Sequence, residues 1–202
     1  MTQKSPIFKT HLNDYLQQVA RLDVAPLTQM LGVDVREETV IIPFIGEKYR
    51  VGKNEILDPS GKRADYGVSV VLCKYLLLCP DNEPVSAQWQ SFKDFKSAAP
   101  LISYFSDNVE GAVTKRFSGR REALKKAADA LDGHAPPMDL SYDISACFHP
   151  LPKVPLLLLF NDADGDFDAG CSVLFEKRAE DYLDMECLAI VGALFALRLK
   201  TV

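Results

Sequence analysis

The chain has 202 residues, 48% hydrophobic and 25% charged, with a formal net charge of −5 and a pI near 5.2. Such a chain is globular and buries about 70% of its unfolded surface, and its acidity excludes the phosphate-driven binding of basic proteins, so nucleic acid is not an expected partner. No apolar run approaches the ~20 residues of a spanning helix, and no signal-peptide core follows Met1, so the expectation is a cytoplasmic protein with no membrane partner.

Ser5 and Pro6 read as a cap and first turn, after which Phe8, Leu12, Tyr15, Leu16, Val19 and Leu22 recur at helical spacing, predicting a helix from Pro6 to Leu22. A shorter helix is expected from Val24 to Leu31, ending at Gly32. The period then changes: the β-branched run around Thr39 to Ile45, a break at Gly46, and Lys48 to Val51 predict a hairpin with Pro43 at an edge or bulge. Asp58-Pro59-Ser60-Gly61 is a turn. Asp65 caps an expected helix from Tyr66 to Cys79, apolar nearly all round and therefore central. Helical spacing returns from Pro100 to Leu131, with Asp107/Glu110 and Ser118/Gly119 as restart points for separate helices and an end at Gly133. Pro136-Pro137 is linker-like punctuation.

From Val154 to Phe160 the chain is apolar at every position, which predicts a strand buried on both faces. An acidic turn follows, then Cys171 to Phe175 at hairpin distance, and then a helix from Met185 to Lys200 with Leu188, Val191, Gly192, Phe195 and Leu199 on one stripe. Asp184 is placed to cap it, with Leu183 and Leu188 as a hydrophobic staple. The order of elements lacks the βαβ alternation of a parallel sheet. The predicted class is α+β, a mostly antiparallel sheet packed with helices, as a single compact unit over residues 1–202.

Chemistry-bearing patterns are few. Five cysteines, Cys73, Cys79, Cys147, Cys171 and Cys187, are odd in number and lie mostly in apolar runs, which reads as buried small hydrophobes without disulfides. No Cys-x-x-Cys, dinucleotide or phosphate-loop motif, or nucleophile elbow is present. Cys147 and His149 would share one face of a strand; the pair reads either as half of a metal site or as a core cysteine beside a loop histidine ahead of Pro150. Asp162, Asp164, Asp166 and Asp168 alternate around Gly165, and like charges gathered there would suit a divalent cation, the one cofactor the sequence admits. A docking point for a basic surface and a plain solvated hairpin tip are the other readings. The loop is not an EF-hand, since Phe160 and Cys171 fall where ligands are required. The basic segment Lys115, Arg116, Arg120, Arg121, Lys125 and Lys126 reads as a docking patch, centred on Arg120, Arg121 and Lys125, for an acidic partner or a phosphate-bearing ligand, or else as a solvated helix face.

The apolar helix around Val71 to Leu76, the Trp89-x-x-Phe92 segment, and the string Pro152-x-x-Pro155 through Phe160, Asp162, Phe167, Leu174-Phe175, Tyr182-Leu183 and Glu186 resemble domain-of-unknown-function family 3786. The resemblance covers most of the chain and implies a setting in anaerobic bacteria and archaea, where some members are joined to an iron–sulfur domain of the kind found with corrinoid proteins. It implies no catalytic residue. The sequence departs from that family at Phe160, where the family has a tryptophan near the end of the long strand, and in the loop, where aspartates stand for a glutamate. The expected function is a non-enzymatic accessory or interaction module with another protein as partner, linked to anaerobic metalloprotein or corrinoid metabolism. The alternative is a small-ligand or divalent-cation binder, or an enzyme, with its site around residues 161–168.

Overall fold

The β-branched run at Thr39–Phe44 buries alternate side chains and forms one strand of a meander. In the computed structural model, which describes residues 6–86 and 88–202, that meander is a four-stranded antiparallel sheet in sequential order: β1 (Asp34–Arg36), β2 (Thr39–Phe44), β3 (Glu47–Val51) and β4 (Ile56–Leu57). β2 and β3 are joined through Ile45 and Gly46, both at positive φ (47° and 77°), a turn whose twist suits the flanking strands. Pro43 pairs with Lys48 on β3 but lies past the end of β1, whose register stops at Ile41, so the missing N–H interrupts no ladder there.

A second antiparallel sheet holds β5 (Trp89–Ser91), β6 (Ile144–Leu151), β7 (Val154–Asn161) and β8 (Gly170–Glu176) in the order β5-β8-β7-β6. β7 is central, and its two faces separate by alternation. Leu156, Leu158 and Phe160 enter the main core, while Leu157 and Leu159 are buried with Cys147 in a smaller cluster on the opposite face. The strands are thus divided between two sheets instead of one, and a bond from Ile45 N–H to the Pro150 carbonyl (2.9 Å) joins them.

Helices pack the main face. α1 (Pro6–Val19) and α2 (Leu27–Leu31) are both shorter than their apolar spacing suggests: α1 gives way to tighter turns, with Arg21 and Leu22 donating to Gln18 and Val19, and Pro26 at the N-cap of α2 disfavours helical backbone in the residue before it. α3 (Tyr66–Leu77) is central, with Val71, Leu72, Cys73 and Tyr75 fully buried. The Tyr75 hydroxyl donates to the Leu31 carbonyl (2.7 Å) and accepts from Lys153 N–H (3.2 Å), linking α2, α3 and the β6–β7 turn.

The expected restart at Asp107 and Glu110 does not occur. α4 (Ile102–Phe105) continues through a single wide π turn, Ser106–Glu110, into α5 (Gly111–Phe117). That turn delivers Glu110 to the second sheet, where its Oε1 accepts Val173 N–H at 3.0 Å. β5 stops at Ser91, opposite Leu174, so the carboxylate satisfies an edge amide of β8 that has no strand beside it. α6 (Arg121–Ala130) follows after Ser118-Gly119. α7 (Met185–Leu199) is capped by Asp184, whose Oδ1 accepts Cys187 N–H at 2.9 Å. Its Gly192 is a contact point: a Cβ there would lie 2.6 Å from Phe105 Cε2, so only glycine lets α7 approach α4 this closely.

Candidate functional site

The acidic tip between β7 and β8 and the elbow between α5 and α6 are brought together, which their separation in sequence does not suggest. Asp162 Oδ1 accepts Gly119 N–H (2.6 Å) and Ala163 N–H (2.8 Å). Asp162 N–H donates to Asp143 Oδ2 (2.8 Å), and Asp143 N–H donates to Asn161 Oδ1 (3.1 Å). Arg121 Nη1 stands 3.4 Å from Asp143 Oδ1. Further out, Asp164 Oδ1 accepts from Asp166 N–H (3.1 Å) and Phe167 N–H (3.0 Å), closing a local turn. The four aspartates therefore do not project from an extended chain to one side: Asp162 turns back to the elbow, Asp164 folds onto its own backbone, and Asp166 and Asp168 are exposed. Among the described residues no group of three or more His, Cys, Asp or Glu side chains is arranged to hold a metal ion. Phe167, 74% exposed, stands at this tip.

The basic segment forms the shoulder beside it. Lys115 and Arg116 lie in the last turn of α5, Arg120 precedes α6, and Arg121, Lys125 and Lys126 lie on α6; all six are exposed, opposite buried Leu124, Ala127 and Ala128. Among the described residues only Arg121 of the six enters an ion pair, with Asp143 and, at 3.9 Å, Glu122.

Cys147 and His149 share the outer face of the second sheet, as strand alternation requires, but His149 lies in β6 and not in a loop. Their neighbours come from elsewhere. The imidazole of His134 lies parallel to that of His149, centroids 5.4 Å apart at 5°. His134 also bridges Cys147 through two backbone bonds, 3.0 and 2.8 Å. Along the same face Glu176, opposite Trp89 in the register, pairs with Arg178 Nε at 2.5 Å. Burial, with Glu176 beside it, pushes the Cys147 thiol up, and burial together with His134 pulls His149 below its ordinary value. A thiol held protonated is a poor nucleophile. The partners His134, Glu176 and Arg178 were not readable in sequence, because cross-strand neighbours carry no local signal.

A cleft of about 220 Å³ lies elsewhere, between the end of α1 and the first sheet. Val19, Val40 and Val51 form its floor and Asp23, Glu37 and Lys53 its rim, with Lys53 held by Glu38 at 2.7 Å. A smaller one of about 20 Å³ adjoins His149 and Phe195. Neither includes residues 161–168.

Residues 23–198 match the family described as domain of unknown function (DUF3786). No curated protein and no solved structure matches the chain.

Proposed function

The chain belongs to the DUF3786 family, and from that premise we propose that it is a non-enzymatic interaction module that docks an acidic surface of a partner protein on the α5–α6 shoulder. The observation that carries this is the shoulder itself: six exposed cations, of which only Arg121 is ion-paired among the described residues. Unneutralised charge on a rigid helix pair steers an oppositely charged partner and fixes its orientation. A non-enzymatic role fits the cysteines, since burial pushes the thiols of Cys73, Cys147, Cys171 and Cys187 up and away from thiolate chemistry. The setting that accompanies this reading is cytoplasmic, with a partner drawn from anaerobic metalloprotein or corrinoid metabolism.

The test uses a labelled peptide rich in glutamate. Its binding should weaken steeply as salt rises, and Arg120→Glu with Lys125→Glu and Lys126→Glu should abolish it while the melting temperature moves by only a few degrees, since exposed substitutions cost within about 0.5 kcal/mol each. Binding that survives the reversal, or that ignores salt, sinks the proposal.

A further inference from the structure

α6 and the segment after it form a ring. The helix starts at Arg121, whose guanidinium meets Asp143, and residues 134–143 carry the chain from the end of the helix back to that same contact. This segment is a strap pinned at two points. At one end His134 and Cys147 exchange two backbone bonds; at the other Asp143 binds Asn161 and Asp162. Between the pins Pro136 and Pro137 have no N–H to give, and among the described residues the backbone bond there is a single one, Tyr142 N–H to the Leu140 carbonyl at 3.0 Å. Beneath the strap lies an apolar floor of Cys147, Leu157 and Leu159, against which Leu140 from the strap packs together with Trp89 and Leu174. The chain reaches the floor through Gly133, where a Cβ would meet the Phe148 ring and the Ala128 carbonyl, each at 2.8 Å.

The pin at His134 carries the parallel stack with His149. Neutral imidazoles stack well, whereas an imidazolium loses solvation when it is held against a second ring. We propose that residues 134–143 are an acid-released latch: His134 lying on His149 holds the strap shut while His149 is neutral, and protonation of His149 frees the strap from the apolar floor.

Each charged group facing His149 bears on the sign. His134 approaches from the strap, Glu176 from β8 and Arg178 from the turn that follows β8. Glu176 favours the imidazolium, but it is engaged with Arg178, whose charge opposes it. Burial and His134 add to that opposition, leaving His149 below its ordinary value of 6.5 in the closed state. The open state therefore takes up the proton more readily. Closure is fully favoured above 6.5 and loses ground as pH falls below that value toward the lowered one. Opening breaks two backbone bonds and little else at this pin, so it is a local event.

Hydrogen exchange on the full chain, corrected for intrinsic rates, tests the latch. Between about pH 7.5 and about pH 5 the amides of His134 and Cys147 should lose protection, by up to about tenfold for each unit that His149 is depressed, while the β7–β8 ladder keeps its protection. Emission from Trp89, the chain's one tryptophan, should shift to the red in step. His149→Gln and, separately, His134→Gln should flatten the pH dependence; if one variant does not fold, the other decides. Unchanged protection in the wild type, equal loss across β7 and β8, or the same titration in a folded variant overturns the proposal.

Discussion

Glu110 is a carboxylate with one good hydrogen bond, from Val173 N–H, and an environment that burial makes unfavourable for its charge, so its pKa is raised above 4.5. The sign follows from that direction. The folded state binds the proton more readily than the unfolded one, so the associated stability is fully present below the unfolded value and is lost as pH rises through the folded one. At neutral pH the ionised Glu110 is therefore a liability that the Val173 bond only partly offsets. Glu110→Gln keeps an oxygen to accept that bond and removes the charge. The variant should melt higher than the wild type near pH 7, with the gap closing near pH 4, as measured by thermal denaturation at both pH values. A variant that is less stable at both would mean that the carboxylate charge itself holds β8.

At the scale of elements, the β7–β8 tip is the region whose chemistry the structure changes most. Asp162 is occupied by the Gly119 and Ala163 amides and Asp164 by those of Asp166 and Phe167. A calcium site with a dissociation constant of roughly 1 mM would gain about 1.4 kcal/mol at about 10 mM calcium, or roughly 3 to 6 °C. With two carboxylates already engaged by backbone amides, the expected result is no shift with calcium, magnesium or manganese against a chelator control. Asp162→Ala should instead cost on the order of 1 kcal/mol by removing the bonds that its Oδ1 accepts from the Gly119 and Ala163 amides, read by denaturant titration. Much of this organisation was legible locally: a β-branched run broken at Gly46 gave the β2–β3 hairpin, an unbroken apolar run gave the two-sided burial of β7, and the Asp184 cap opened α7 where the apolar stripe begins. The division of strands into two sheets was not, because a strand's partner is chosen across the chain. Nor was the π turn, since Asp107 and Glu110 carry the same residue pattern as a helix restart. The stacking of His134 on His149 depends on Gly133 admitting the chain close to Phe148, a contact that no spacing rule announces.

For the whole molecule, one hydrophobic cluster runs from Leu16 on α1 to Leu199 on α7 and includes residues of both sheets. α1 lies outside the family match, which begins at residue 23, yet it packs on α3, with Lys74 Nζ 5.2 Å from the Tyr15 ring centre. A core shared this widely should unfold in one step. Scanning calorimetry is expected to show a single transition with equal calorimetric and van't Hoff enthalpies, on the order of 140 kcal/mol near 60 °C for 202 residues. Two resolved peaks would mean that the sheets unfold separately despite the Ile45–Pro150 bond between them.

Because His134 is pinned to Cys147 and Asp143 to Asn161 and Asp162, the strap's ends are fixed by contacts that do not depend on its length. Lengthening it is therefore cheap: each doubling of a flexible loop adds only about 0.6 kcal/mol of closure entropy. Exposed Pro137 and Met138 mark where extra chain is best accommodated. A glycine- and serine-rich insert between them that doubles the ten-residue strap should lower stability by no more than about 1 kcal/mol. The same insert between Leu157 and Leu158 should prevent folding, as circular dichroism of the two variants would show.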